Sequence, residues 1–514
     1  YEYASAAYYQ LAQISSTLGN AEQAAQEAGM AVAYNGMNLD AKNLLTTLER
    51  KAGNTEEATK LAAEILDIDP LNYYASAEQV ALGVKPKAEF TKLLRGVSES
   101  YIELALYYLN NGFASDAEAV LKDAENIRPY PTVEYWLGWF ADRNDDKDAA
   151  AKWFAAAEAG DMDYVFPFRL ETVKPLEKAI EYNPNSVMAW YYLGNLWYQK
   201  QPAKAMSCWE KAVELRPDFA MALRNLGWGC HYFTGELRKG ADWYKKAIAA
   251  DKDGNAIFLT ECDEILEQLN APLEERYELF AGRESLYEKR YDSETRAIKL
   301  RILKGEYEQV LDKLLTRFYA RREHIEDLHD IYVDACMLSG FREWKSGNNE
   351  KALEYMLMTN EYPANHGYAH LEYYARDAQV YYNIGMAYEK VGDAAKAREY
   401  YAKAAAVVVK PVDCVYNYEK ALAMLKLNPK ADVKPMFREM LKFGEESVTD
   451  YVERFFESFD YGPRPEDVNT KAYYTQGLAW KALGKESKAR KCFEQALGQR
   501  NDNVWANYYL GNIR

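Results

Sequence analysis

A pattern of large and small residues recurs along the chain, and it constrains the fold more than any other feature of the sequence. In its clearest copy, from Trp190 to Pro217, apolar residues follow the period of two amphipathic helices joined by a short turn. Gly194 on the first helix and Ala205 on the second are the small positions that let the two helices approach closely. Trp209 fills space beside them, and Pro217 ends the second helix.

The same frame returns from one end of the sequence to the other. Ala24 and Ala58 occupy one position of it 34 residues apart, and further copies contain Gly138, Gly385 and Gly477. This pattern resembles the tetratricopeptide repeat, a helix–turn–helix unit of about 34 residues. The resemblance implies a right-handed α-solenoid of stacked helix pairs. Since no segment alternates with a period of two, we expect an all-α fold without a β-sheet.

The frame is followed more closely in some parts of the chain than in others. We expect shortened or irregular units at 71–97, 160–187 and 444–470, where Pro and Gly interrupt the helical pattern. The sequence therefore predicts four segments: N-terminal repeats (1–160), an aromatic-rich connector with central repeats (161–271), a segment of long charged helices (272–345), and C-terminal repeats whose last unit is truncated (346–514).

Charge and composition argue against several classes of protein. The formal net charge is −16 over 514 residues, which disfavours binding to nucleic acid or to an anionic membrane surface. No apolar run is long enough to span a membrane. The six cysteines lie far apart in the sequence, which indicates reduced thiols and a cytoplasmic location. Because the chain starts at Tyr1 and its N-terminus is expected to be missing, a periplasmic location stays open.

The candidate binding residues lie on the predicted first helices, which line the concave groove of a tetratricopeptide array. Aromatic and Arg side chains are common at interaction hot spots, and an alternative is that they only pack between neighbouring helices. Asn195 with Arg224 faintly resembles the clamp with which some of these repeats hold a peptide carboxylate. The groove residues expected to contact a partner are Tyr135, Trp139, Tyr191, Asn195, Tyr198, Arg224, Trp228 and His231. The last six, from two successive first helices, are expected to form one continuous patch.

Catalytic and metal-binding patterns are not found in the sequence. There is no Gly-rich phosphate loop and no nucleophile elbow. His324 and His329 are five residues apart, whereas ligands on one helix face need a spacing of three or four. His366 and His370 have that spacing but follow a Pro in a predicted loop. We therefore expect no enzyme activity, no metal and no cofactor in this chain.

Two stretches resemble a more particular family. The region from Phe318 to Ala404, with "LHDIYVDACMLSGFREW", and the earlier "FPFRLE" look like the C-terminal repeat region of large bacterial proteins. In that family a domain of unknown function, suspected to act on sugars, precedes the repeats; it is absent from this chain, and "RREHIEDL" departs from the family's usual acidic and Gly-rich stretch.

Two functions therefore stay open. The first is a non-enzymatic scaffold that binds a peptide or a partner domain in its groove. The second is an accessory repeat region of a carbohydrate-acting or carbohydrate-binding protein, and here a glycan is a possible ligand. A helical-repeat RNA binder is disfavoured by the net charge.

Overall fold

Pairs of helices joined by short turns make up the chain in the computed structural model, which describes residues 1–319, 328–367, 369–370, 373–452 and 464–513. The described residues contain no β-strand. The predicted all-α, right-handed α-solenoid is therefore confirmed. Within the same residues, no helix combines the length and the apolar character needed to cross a bilayer.

The chain divides into two units, Tyr1–Pro217 and Asp218–Arg514. The α-helices of the first unit are α1 (Glu2–Thr17), α2 (Ala21–Tyr34), α3 (Leu39–Ala52), α4 (Thr55–Ile68), α5 (Tyr73–Ala81), α6 (Lys87–Leu94), α7 (Ser98–Asn110), α8 (Ala114–Ile127), α9 (Pro131–Arg143), α10 (Lys147–Ala159), α11 (Val173–Tyr182), α12 (Val187–Trp197) and α13 (Pro202–Leu215).

The α-helices described in the second unit are α14 (Ala220–Gly229), α15 (Leu237–Ala250), α16 (Ile257–Gln268), α17 (Leu273–Phe280), α18 (Glu284–Tyr287), α19 (Tyr291–Leu303), α20 (Tyr307–Thr316), α21 (Leu328–Lys345), α22 (Asn349–Met358), α23 (Asp377–Lys390), α24 (Ala394–Ala406), α25 (Asn417–Leu427), α26 (Lys434–Ser447), α27 (Pro465–Ala482), α28 (Glu486–Gln499) and α29 (Val504–Leu510). The unit boundary at Pro217 falls inside the predicted segment 161–271, and the four-segment division stays a prediction.

Close contacts between a glycine and a large side chain hold the helix pairs together. A Cβ atom added at Gly194 of α12 would lie 2.5 Å from Nε1 of Trp209 on α13. At Gly385 of α23 it would lie 2.7 Å from Cδ1 of Tyr401 on α24. The same contact joins four further pairs: Gly138 with Phe154, Gly227 with Tyr244, Gly340 with Met356, and Gly477 with Phe493. The small residues of the sequence pattern are therefore required by packing.

Two of the three stretches for which the sequence predicts shortened or irregular units lie within the described residues. The stretch 71–97 holds two short helices, α5 and α6. Between α10 and α11 the chain has only a 3₁₀ turn (Leu170–Thr172), and Tyr164, Phe166 and Phe168 are exposed there. In the stretch 444–470, residues 453–463 lie outside the described part of the chain.

The second unit curls until its last helix contacts its early helices. The Asn270 side chain after α16 donates to the Leu497 carbonyl at 3.0 Å, and Asn501 donates back to the Ala271 carbonyl at 2.6 Å. The buried guanidinium of Arg276 donates to Asp263 on one side and to Asp502, 226 residues away, on the other. Partners this distant in sequence cannot be inferred from the period of the repeat.

Candidate functional site

Two of the predicted groove residues lie on α9. Tyr135 is buried and packs edge-to-face on Tyr192, with ring centroids 6.2 Å apart. Trp139 is half-buried, and the guanidinium of Arg143 lies 4.6 Å from the centroid of its ring. Tyr135 thus packs between neighbouring first helices, whereas part of Trp139 remains accessible.

Three more predicted residues lie on or next to α12. Tyr191 is buried, whereas Asn195 and Tyr198 are half-buried. The amide oxygen of Asn195 accepts a hydrogen bond from Nε1 of Trp209 at 3.0 Å. This contact orients the indole that packs on Gly194. Asn195 therefore has a structural role inside its own helix pair.

The other three predicted residues belong to the second unit and are half-buried. Arg224 forms a two-point ion pair with Glu261 of the next first helix, with Nε 2.8 Å from Oε2. His231 lies within hydrogen-bond distance of Gln268 on the same next helix, and the Trp228 ring stacks near Tyr232 at 4.4 Å. Arg224 and His231 thus join successive repeats, whereas the contact of Trp228 with Tyr232 is local. Partner binding at the eight predicted residues stays a prediction, as does the continuous patch.

A cavity of about 490 Å³ opens on the concave face of the second unit. It lies among successive first helices, because its lining comes from α19, α21, α23, α25, α27 and α29 and from the loops that lead into them. Its charged lining residues are Lys299, Asp330, Asp334, Arg376, Glu419, Asp467, Lys471, Arg500 and Asp502, and its aromatic ones are Tyr416, Tyr474 and Trp505.

The wall formed by α21 and α23 is built around one buried arginine. Arg376 is only 4% exposed. Its guanidinium lies 2.8 Å from Asp330 Oδ1 and also pairs with Asp334. Asp334 accepts a second hydrogen bond, from Nε1 of Trp505, at 2.8 Å. Burial raises the pKa of Asp334, although the charge of Arg376 opposes this.

The floor of the cavity contains a carboxyl group that is incompletely bonded. Glu419 on α25 is 4% exposed, and its Oε1 accepts from the Gln379 side chain at 3.2 Å. Gln379 in turn accepts from Nε of Arg376 at 3.1 Å. Oε2 of Glu419 is buried and has no hydrogen-bond partner among the described residues. Burial raises the pKa of Glu419 to about 7, despite the hydrogen bonds from its own backbone N–H and from Gln379 and the charge of Arg376.

The opposite rim is held by the residues that close the second unit. Asp502 is 3% exposed and lies 3.3 Å from the ammonium of Lys299. Burial by itself would raise the pKa of Asp502, but the charges of Lys299 and Arg276 hold it well below its usual range. Arg500 pairs with Glu267 at 3.1 Å and with Asp467 at 2.9 Å. The basic groups of this rim are thus engaged by carboxylates.

Sequence reasoning does not identify this cavity. Arg376 and Glu419 lie outside the clear copies of the repeat, and a 3₁₀ helix (Pro411–Tyr416) leads into α25. The one sequence feature that could indicate these cavity residues is a charged side chain on the groove side of a first helix. In a chain with 79 acidic residues that signal does not stand out.

His329, His366 and His370 lie near one another through shared tyrosines: Tyr362 contacts His329 and His370, and Tyr332 contacts His329 and His366. His329 stacks on Tyr362 with ring centroids 3.9 Å apart, and burial lowers its pKa to about 4. His366 lies 2.7 Å from the Leu314 carbonyl, and His370 lies 2.9 Å from Asp377. His324 lies outside the described residues. In the described part of the chain no three metal-ligating side chains converge. All six cysteines are buried thiols outside disulfides.

Comparison with known proteins identifies the class of repeat. Models of the tetratricopeptide repeat match residues 102–164, 378–407 and 470–503. The chain therefore contains tetratricopeptide repeats, as the sequence pattern predicts. No curated protein matches it.

Several solved structures are similar over long stretches. The "P58(IPK) TPR Domain" is 12% identical and covers 92% of this chain and 98% of its own, with a TM-score of 0.22. "Naa15/Naa10 bound to HypK-THB" is 14% identical over 99% and 91%, with a TM-score of 0.26. "YrrB: a TPR protein with an unusual peptide-binding site" is 17% identical over 45% and 94%, with a TM-score of 0.17. The resemblance to large bacterial carbohydrate-linked proteins stays a prediction.

Proposed function

We propose that this chain is a non-enzymatic interaction scaffold, and that it binds an extended segment of a partner protein on the concave face of its second unit. The observation that carries the proposal is the cavity of about 490 Å³ among six first helices. Its size lies within the range of about 300–1,000 Å³ that is usual for ligand sites. Tetratricopeptide solenoids provide extended concave surfaces of the kind that a peptide can follow.

The cavity is a better candidate than the eight predicted groove residues. Asn195 already accepts from Trp209, and Arg224 is already paired with Glu261. A partner would have to displace those contacts before it gained new ones. Glu419, in contrast, lines the cavity and has one buried oxygen without a hydrogen-bond partner in the described part of the chain. The groove residues remain a second proposed contact surface in each unit.

The carbohydrate alternative has less support from the site. A sugar is usually held by flat rings that it can stack on, and this cavity has three aromatic lining residues, but charged groups outnumber them, with five carboxyl and four basic side chains. Such a lining suits the charged side chains and amide groups of a polypeptide.

A cross-linking experiment tests the proposal. Peptides are first selected from a random display library on the whole chain, and p-benzoylphenylalanine is placed at Lys471, an exposed residue of the cavity lining. The matched control carries the same group at Lys491, which is exposed on α28 outside the lining. We expect the selected peptides to cross-link at 471 and not at 491. Equal labelling at both positions, or no selected peptide that labels 471, would overturn the proposal.

A further inference from the structure

We infer that the cavity of the second unit binds a basic side chain of the partner segment, a Lys or an Arg, with its cationic group on Oε2 of Glu419. The inference rests on the proposed function and adds the chemistry of the bound residue. Three observations support it: one oxygen of Glu419 lacks a hydrogen bond, aromatic side chains line the same cavity, and the buried basic groups of the cavity already form ion pairs.

The first observation is the unmade hydrogen bond. A buried carboxyl oxygen without a donor costs about 1–3 kcal/mol, and more when the group is charged. Glu419 lines the cavity, and its buried Oε2 has no hydrogen-bond partner among the described residues, whereas Oε1 accepts from Gln379 at 3.2 Å. The carboxyl group is thus oriented through one oxygen, and the other oxygen lacks a donor. An ammonium or guanidinium group supplies both the missing donor and the opposite charge.

The second observation is the aromatic surroundings. Tyr416 and Tyr474 line the same cavity, and Trp505 closes one side of it. Burial raises the pKa of the Tyr474 hydroxyl well above its usual value, and the charge of Glu419 raises it further. Tyr474 therefore lies close enough to Glu419 for the charge of that carboxylate to affect its hydroxyl group. Aromatic faces attract cations within about 6 Å, so rings and carboxylate favour the same ligand.

The third observation is that the buried cations of the cavity already have counter-ions. Arg376 pairs with Asp330 and Asp334, and Arg500 pairs with Glu267 and Asp467. An acidic ligand would have to compete with carboxylates that are held in place. A basic ligand meets Glu419, which forms no ion pair with any other described residue. The net charge of −16 also attracts a basic segment at long range.

The test uses the peptide selected above that cross-links most strongly at position 471. Its basic residue is replaced by norleucine, and each peptide is titrated against the whole wild-type chain and against Glu419→Gln. The Gln variant keeps the shape of the side chain and removes its charge. Glu486→Gln, on the exposed start of α28, is the matched control.

We expect norleucine to weaken binding to the wild type and to Glu486→Gln at least tenfold, and to change binding to Glu419→Gln less than threefold. Wild-type affinity should also fall as the pH drops below about 7, because protonated Glu419 no longer attracts a cation. Arg376 stays charged and the surrounding tyrosines stay neutral across this range, and Asp334, whose pKa is also raised by burial, is present in both proteins. The fall in affinity just below pH 7 should therefore be much smaller in Glu419→Gln than in wild type.

Two results separate this inference from the proposed function. Selected peptides that label position 471 but lack a needed Lys or Arg would overturn the inference and leave the scaffold proposal standing. An equal norleucine effect in wild type and Glu419→Gln would do the same, because the cation would then bind elsewhere. The absence of any peptide that labels position 471 would overturn both.

Discussion

Gly385 provides a direct test of the packing that builds the solenoid. In Gly385→Ala the new methyl carbon would lie 2.7 Å from two ring carbons of Tyr401 and 3.3 Å from the Ala397 carbonyl oxygen. Ordinary contacts of this kind lie at about 3.5–4.0 Å, so the ring has to move by most of an ångström within a packed pair of helices. Overpacking of this size costs about 1–3 kcal/mol.

The alanine in Gly385→Ala also stabilises the helix, which partly offsets the cost of the clash with Tyr401. Replacing Gly by Ala inside a helix gains about 1 kcal/mol of helix propensity. The net loss expected for Gly385→Ala is therefore about 0–2 kcal/mol. Gly498→Ala on α28 is the control, since nothing lies within 4 Å of its added Cβ. It should be neutral or stabilising by up to about 1 kcal/mol.

The assay is urea unfolding followed by far-ultraviolet circular dichroism, with the midpoints of the two variants compared with wild type. A second measurement repeats Gly385→Ala in a Tyr401→Leu background, in which the ring that causes the clash is gone. We expect the penalty to disappear there. If Gly385→Ala and Gly498→Ala shift the midpoint equally, or if the penalty persists without the Tyr401 ring, the packing argument is wrong.

Three further predictions follow from the charged groups. Arg276→Ala should destabilise the protein by about 3 kcal/mol, the lower end of the cost of breaking a buried ion pair, because Asp263 and Asp502 lose their shared guanidinium and keep Arg296 and Lys299 as cations. Arg490→Ala, at an exposed pair, should change unfolding by less than about 1 kcal/mol; equal losses in urea unfolding would contradict this. Because the folded pKa of Glu419 is raised to about 7, its contribution to stability is present below pH 4.5 and is lost as the pH rises towards 7. Wild type should therefore lose about 3 kcal/mol relative to Glu419→Gln between pH 4.5 and 8, and parallel pH profiles of unfolding would refute the assignment. If the groove residues form a second contact surface, Arg224→Ala should weaken partner binding by more than about 1 kcal/mol while Glu214→Ala does not, and a pull-down in which both variants bind like wild type would show that Arg224 serves only the repeats.

The helix pairs could be predicted because they depend on local spacing. A glycine about sixteen residues before a large side chain, as in Gly385 and Tyr401, is enough to place two helices against each other. The groove side of each first helix follows from the same frame. The spacing does not show whether a side chain on that face already has a partner within the protein. Arg224, for example, is paired with Glu261, 37 residues further on.

The cavity could not be predicted because it depends on contacts between distant repeats. Gln379 and Glu419 are 40 residues apart, and Trp505 reaches Asp334 across 171 residues. Each pair requires the accumulated rotation of several helix pairs, and a small change in rotation per repeat would separate them. A periodic sequence pattern specifies the fold of each repeat but does not determine the rotation from one repeat to the next.

Closure of the second unit and binding in its cavity depend on some of the same side chains. Asp502 lines the cavity, and it also receives the Arg276 guanidinium that holds α29 and its preceding loop against the early helices. Trp505 lines the cavity and donates to Asp334, the same carboxylate that fixes Arg376. A ligand that contacts both walls would therefore bind the closed arrangement more tightly than an open one. Any change that lowers the fraction of closed molecules therefore weakens the apparent affinity for the ligand in proportion to that fraction. The repeats thus supply the helices, but the ion pairs between distant repeats decide whether a binding site exists among them.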